Sequence, residues 1–260
     1  MKRIVPVLPL VLAILAACNP ASPEPSTLTV FAAASLTEAF TEIGAAFEAS
    51  HPGVDVTFNF SGSQVLRTQI EQGAVADVFA SGNQREMDAL VEGDLVPAGS
   101  AQILLTNRLL VILPADNPAH LLTPEDLARP GVTLVLAAEE APAGRYARQL
   151  LENLDALYGA GFRDAVLDNV VSNEENVRQA VMKVQLGEAD AAIVFVSDAV
   201  AVPGLLTIAI PAEYNVVAEY PIAVLGDAPQ PDLAAEFITF VLSPEGQAIL
   251  EAWGFTPVLP

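Results

Sequence analysis

Short apolar runs alternate with segments of helical period along most of this 260-residue chain. That alternation restricts the fold more than any other feature. Leu28–Ala33 is an apolar run, and Leu36, Phe40, Ile43 and Phe47 follow at helical spacing until His51-Pro52-Gly53 stops the helix. Val54, Val56, Phe58 and Phe60 alternate as a half-buried strand. Ser61-Gly62-Ser63 interrupts it, and Val65–Gln72 predicts a short helix capped by Gly73. Ala76–Ala80 reads as a strand, Gln84–Glu92 as a helix, and Gln102–Leu105 and Leu109–Leu113 as strands. Thr123-Pro124-Glu125-Asp126 has the form of a helix start with Pro in its first turn. Val132–Ala137 is a strand, and Gly144–Tyr158 a helix with Tyr146, Leu150, Leu154 and Leu157 along one side. Glu175–Leu186 is a helix and Ala191–Val196 a strand. Leu233, Phe237 and Val241 share a late helix, and Ser243-Pro244-Glu245 opens the last one. Alternation of this kind predicts an α/β fold with largely parallel strands and helices on both faces. With 52% hydrophobic residues there is enough apolar material for a packed core.

One internal echo suggests two similar units. Gly73 followed by Ala76-Asp77 and the run Val78-Phe79-Ala80-Ser81 has a counterpart in Gly187, Ala189-Asp190 and Ile193-Val194-Phe195-Val196-Ser197. Any two helix–Gly–strand units share this outline, so the echo alone leaves one unit or two open. Two such units would set the carboxyl ends of their strands on either side of one cleft, where ligands of open α/β sheets bind.

The first residues read as a sorting signal. Lys2 and Arg3 precede an uncharged apolar run, Ile4 to Ala17, too short for the roughly 20 residues of a spanning helix. The only cysteine, Cys18, directly follows Leu15-Ala16-Ala17, which with it resembles the lipobox of bacterial lipoproteins. The expectation is a signal peptide over 1–17, a lipidated Cys18 and a tether over 18–26. The alternative is a chance Cys in an ordinary signal. Pro20, Pro23 and Pro25 stiffen that tether, which can reach roughly 25 Å.

Charge narrows the function. Eleven Lys and Arg stand against 32 Asp and Glu, a net charge of −21. That field repels a nucleic-acid backbone, whose affinity for proteins comes mainly from phosphate neutralisation. One Cys and two His leave no cysteine or histidine metal cluster. His51 and His120 fall in turns expected to be exposed, and no nucleophile-elbow or phosphate-loop motif occurs. The carboxylates are expected mostly on solvated helix faces.

What recurs is a hydroxyl at a strand-to-helix junction. Ser35, in a Ser-x-x-Glu pattern with Glu38, and Ser63 both have the form of helix N-caps. A helix N-terminus also seats anions through unpaired N–H groups and the helix dipole. Ser35, Ser63 and the Ala143-Gly144 junction would supply three such sites without any Arg or Lys.

Several segments resemble one family. Thr29-Val30-Phe31-Ala32-Ala33-Ala34-Ser35-Leu36, Phe60-Ser61-Gly62-Ser63, Gln69-Ile70-Glu71-Gln72-Gly73 and Ala76-Asp77-Val78-Phe79-Ala80-Ser81 are similar to the periplasmic molybdate-binding proteins of ABC transporters. So are Pro142-Ala143-Gly144, Asn176-Val177-Arg178, Ser197-Asp198-Ala199, Glu219-Tyr220-Pro221 and Gly254-Phe255. The resemblance implies a two-lobed type II periplasmic-binding-protein fold, each lobe a mixed, mostly parallel sheet flanked by helices. Lobe one would hold residues 27–105 and 216–260, lobe two 106–215. It implies molybdate or tungstate as ligand, with hydroxyl and N–H donors from Ser35 and Ser63 and N–H donors from Ala143 and Val177. The family's fifth ligand is a Tyr in an Ile-Val-Tyr segment; here the segment is Ile193-Val194-Phe195, so that donor is lost. It further implies no enzymatic activity and no cofactor, and a membrane permease as partner. A monomer would sit in the cell envelope and touch the membrane only through a lipid anchor. A binder of another oxyanion or an organic acid, or an exported hydrolase, are the competing expectations.

Overall fold

A computed structural model describes residues 26–258, so the expected signal peptide, Cys18 and nearly all of the expected tether lie outside the described residues. Among these the strands form two sheets.

The first sheet contains β1 (Ser26–Ala33), β2 (Val54–Ser61), β3 (Val78–Ala80), β4 (Gln102–Asn107), β10 (Ala218–Val224) and the short β11 (Thr256–Pro257), in the order β11-β4-β10-β3-β1-β2. The second contains β5 (Leu109–Leu113), β6 (Leu134–Ala137), β7 (Val170–Glu174), β8 (Ala191–Phe195) and β9 (Leu206–Ala209), in the order β7-β6-β8-β5-β9. In the first sheet β1, β2, β3 and β4 run one way, with β10 and β11 opposed. In the second only β5 opposes the rest. The reversed strands β5 and β10 are those that arrive from the other sheet. The chain changes sheet between Asn107 and Leu109 and returns between Ala209 and Ala218. Apart from β11 the two orders are the same, with β1, β2, β3, β10 and β4 matching β6, β7, β8, β5 and β9. The fold is therefore α/β, with two mixed sheets.

The sequence echo has a physical counterpart. Asp77, just before β3, accepts from the backbone N–H of Thr29 at 2.8 Å and of Gln230 at 2.7 Å. Asp190, just before β8, accepts from the Thr133 N–H at 2.8 Å and its hydroxyl at 2.6 Å. Each carboxylate fastens the start of one parallel strand to its neighbour.

Helices cover both sheets. α1 (Thr37–Ser50) buries Phe40, Ile43 and Phe47 as its period predicts. Phe47 meets Phe237 of α8 (Pro231–Val241) edge to face at 5.3 Å. α2 (Ser63–Glu71), α3 (Gln84–Glu92), α6 (Val177–Gln185) and α9 (Pro244–Ala252) stand near the expected positions. α4 (Pro142–Tyr158) buries Ala143, Ala147, Leu150, Leu151 and Leu154, whereas Leu157 is exposed, so the buried stripe is rotated from the one expected. The Thr123 start leads only to a five-residue 3-10 turn, Pro124–Ala128. α5 (Phe162–Asp168), α7 (Val196–Ala201), β7, β9 and β10 were not among the expected elements. β7 and β9 are edge strands with much of their length exposed, so they lack a continuous apolar run.

Asp77→Ala leaves the Thr29 and Gln230 N–H groups without their acceptor in a buried setting. The expected loss is about 1.5–3 kcal/mol of unfolding free energy by urea titration. A loss below about 0.5 kcal/mol would show that the fastening is dispensable.

Candidate functional site

Three helices begin at one place. α2 starts at Ser63 after the N-cap Gly62, α4 at Pro142 after Ala141, and α6 at Val177 after Asn176. With Ala34-Ser35 of a 3-10 turn, and with Gly82 and Phe195, these starts line a cavity between the two sheets. The centre of a water-sized sphere has about 20 Å³ to move in. That corresponds to a ball of roughly 3 Å radius, room for one compact ion.

The local sequence keeps N–H groups free at each start. The first N–H groups of a helix have no intrahelical acceptor. In α2 the N-cap Gly62 has no side chain with which to cap them. In α4, Pro142 has no N–H, so Ala143 carries the first donor. In α6 the Asn176 side chain accepts from Arg178 and Gln179 at 3.0 and 3.2 Å, which leaves the Val177 N–H outside the cap. Gly144 lets α4 come this close, because a Cβ there would stand 2.0 Å from the carbonyl oxygen of Ala138.

Ser35, Ser63, Ala143, Val177 and Phe195, the five positions singled out from the sequence, all line this cavity. The serines, however, are not caps. Ser35 lies inside the 3-10 turn Ala34–Leu36, and α1 starts two residues later without a side-chain cap. Its hydroxyl meets the Tyr220 hydroxyl at 2.9 Å, while Glu38 pairs with Arg178. A capping box needs both side chains turned back to the backbone, and each has a partner across the fold. Ser63 is the first residue of α2, and its Oγ accepts from the Gly82 N–H at 2.9 Å.

Phe195 ends β8 and is 1% exposed. Its ring lies edge-on to Tyr146 and Tyr220, with centroids 6.2 and 5.7 Å away. The Phe195 N–H donates to Asp198 at 3.2 Å. Burial pushes the Asp198 carboxyl up to about 6, against the pull of the Arg178 guanidinium 3.6 Å away. Arg178 also reaches Glu38 and, at 3.4 Å, the Ala34 carbonyl oxygen. Gln64 donates to the Glu175 carbonyl oxygen at 2.8 Å. The first link joins α6 to α1, and the second joins α2 to the turn before α6, both beside the cavity. No Lys, Arg, His or carboxylate side chain lines it among the described residues.

The histidines lie elsewhere. His120 is exposed, but His51 is half-buried, stacked on Phe47 at 3.9 Å and hydrogen-bonded to its carbonyl oxygen, contrary to the exposed turn expected. Asn176 and Gly82 went unnoticed as parts of the site, although Asn before Val177 is an ordinary N-cap signal. Tyr220 carried no local signal of its part in the site.

Comparison with known proteins follows the same lines. The model of the bacterial extracellular solute-binding protein family matches residues 28–256. The chain is 39% identical over 242 residues to the molybdate-binding protein ModA of Mycobacterium tuberculosis, spanning 92% of this chain and 88% of that one. Its fold is that of the periplasmic molybdate-binding protein of Azotobacter vinelandii, with a TM-score of 0.77 at 22% identity over 90% and 99% of the two chains. It is equally that of the sulfate-binding protein SubI of M. tuberculosis, with 0.81 at 20% over 90% and 88%. The fold is thus common to binders of different anions. With the family model spanning nearly all the described residues, the chain belongs to the bacterial extracellular solute-binding proteins.

Proposed function

We propose that this chain is the substrate-capturing component of an ATP-driven importer, and that it holds molybdate or tungstate between its two sheets for delivery to a membrane permease. The observation that carries this reading is the meeting of three helix N-termini and two serine hydroxyls at a cavity of single-ion size that no cationic side chain lines among the described residues. Ser35 and Ser63 supply hydroxyl and N–H donors, and Ala143 and Val177 supply N–H donors. The 39% identity to a molybdate-binding relative over most of both chains favours this ion over others. Lobe one, expected as 27–105 with 216–260, extends to Asn107 because β4 does, and lobe two is the stretch from there to 215. A cavity this small disfavours an organic acid, and a wall without a base disfavours hydrolysis. Sulfate shares molybdate's charge and shape, so discrimination falls to cavity size. The protein is further proposed to act as a monomer, anchored outside the cytoplasmic membrane through lipid on Cys18.

Calorimetry tests the ligand. A dissociation constant at or below about 1 μM, roughly −8 kcal/mol, is expected for molybdate or tungstate. Heat with sulfate or an organic acid, and none with these two ions, would overturn the proposal. Ser35→Ala and Ser63→Ala should each weaken binding by about 10- to 150-fold, the worth of a hydrogen bond to a charged group. Each substitution also strips a buried group of its partner, the Tyr220 hydroxyl or the Gly82 N–H, so the ligand-free protein should lose about 1–3 kcal/mol of unfolding free energy as well.

Phe195→Tyr should restore a donor at the place where the family has one. If its hydroxyl reaches the ion, affinity rises by up to about 1.5–3 kcal/mol, and by under about 1 kcal/mol if a water already bridges there. Unchanged affinity with unchanged stability would place residue 195 outside the ligand's reach.

Lipidation is checked by mass spectrometry of the native protein. The expected mature chain begins at a diacylated Cys18, and Cys18→Ser should leave the membrane fraction. An unmodified Cys18 would end that part of the proposal.

A further inference from the structure

Both cavity serines accept a hydrogen bond from the protein behind them. For Ser63 the donor is the Gly82 N–H. For Ser35 the partner is the Tyr220 hydroxyl, 2.9 Å away, and either oxygen could in principle donate. The surroundings decide the direction. Tyr220 is wholly buried in β10, and Ser35 is the one hydrogen-bond partner of its hydroxyl among the described residues. Asn107 uses its carbonyl oxygen to accept the Arg108 N–H at 2.9 Å, and its amide nitrogen donates to Ser197 at 2.9 Å. Both ends of that amide are thus engaged elsewhere, and neither forms a hydrogen bond with Tyr220. The Tyr220 proton has one acceptor in reach, Ser35 Oγ, and a buried proton without an acceptor is costly. Burial also holds the phenol protonated. Ser35 Oγ makes no other hydrogen bond among the described residues, so its own proton is free to turn toward the cavity.

We infer that Tyr220 is a positioning residue for ligand binding: by donating to Ser35 Oγ it holds the serine hydroxyl as a donor aimed at the bound anion. The inference rests on the oxyanion-binding reading above. It also explains a buried hydroxyl in the middle of an apolar strand, Ala218-Glu219-Tyr220-Pro221-Ile222, where a Phe would pack as well.

The test is a double-mutant cycle by molybdate calorimetry on the full chain, with Ser35→Ala, Tyr220→Phe and the two combined. Tyr220→Phe removes one oxygen and keeps the ring against Phe195 and Phe255. It should weaken binding by roughly 3- to 10-fold, and by nothing further once Ser35 is Ala, because no hydroxyl remains to be turned. A merely structural role would give the same loss in both backgrounds. That result, or no loss at all, overturns the inference while the anion reading stands. A wild-type chain that does not bind molybdate removes both. Should Tyr220→Phe not yield folded protein by circular dichroism, fluorotyrosine at position 220 is nearly isosteric. Its fluorine resonance should then shift as molybdate is added, and no shift at saturation overturns the inference.

Discussion

The first turn of a buried helix carries N–H groups that nothing in the helix can satisfy, and three such turns meet here between two sheets. Leaving a buried donor unpaired costs about 1–3 kcal/mol, so bringing several together is unfavourable unless something fills the space between them. The surroundings preserve the arrangement instead of relieving it. The caps at 62 and 141 are Gly and Ala, which have no side-chain acceptor, and Asn176 satisfies the second and third N–H groups of α6 but not the first. The net charge of −21 repels anions at a distance, but salt screens that field beyond about 8 Å. At contact the aligned dipoles and hydroxyls act without competition, because no charged side chain among the described residues lines the cavity.

The position of the cavity follows from the topology. In each sheet the parallel strands end on the same side, and the helices that follow them begin there. β2 leads into α2, β6 into α4 and β7 into α6, so each start stands at the carboxyl end of a strand. The two sheets share one strand order, and each contains one long strand reversed by the chain's passage from the other. The carboxyl edges therefore face a common space. Arg178 with Glu38, and Gln64 with the Glu175 carbonyl, then bridge that space at its rim. The residue that follows Val177 in α6 thus makes a cross-sheet contact, so closure and the placement of a cavity N–H belong to the same helical turn.

Much of this was legible in the chain. Apolar period and turn residues placed most helices and the central strands except β10, because burial on one face writes a repeat into the sequence. The Asp77 and Asp190 echo reported a real duplication, since the same strand-fastening bond is needed in both sheets. Edge strands β7 and β9 were lost because exposed strands carry no such repeat, and α5 because seven residues hold too few turns to show one. The Ser-x-x-Glu pattern at Ser35 misled for a different reason. Capping is a local preference worth about 1 kcal/mol, and two partners distant in sequence, Tyr220 and Arg178, outbid it.

The sequence by itself determined the α/β class, the order of most elements, and the residue types at the helix starts, because these depend on neighbours within a few positions. Ser35, Ser63 and the Ala143 junction were read from the residues and Val177 and Phe195 from likeness to a family, and the fold alone gathers the five at one point from positions 35 to 195. Tertiary structure decided the strand directions, the shared strand order, and the partners of Ser35 and Ser63. Those outcomes depend on contacts such as Ser35 with Tyr220, 185 positions apart, and the pattern of side chains along a strand holds no record of what will stand opposite it.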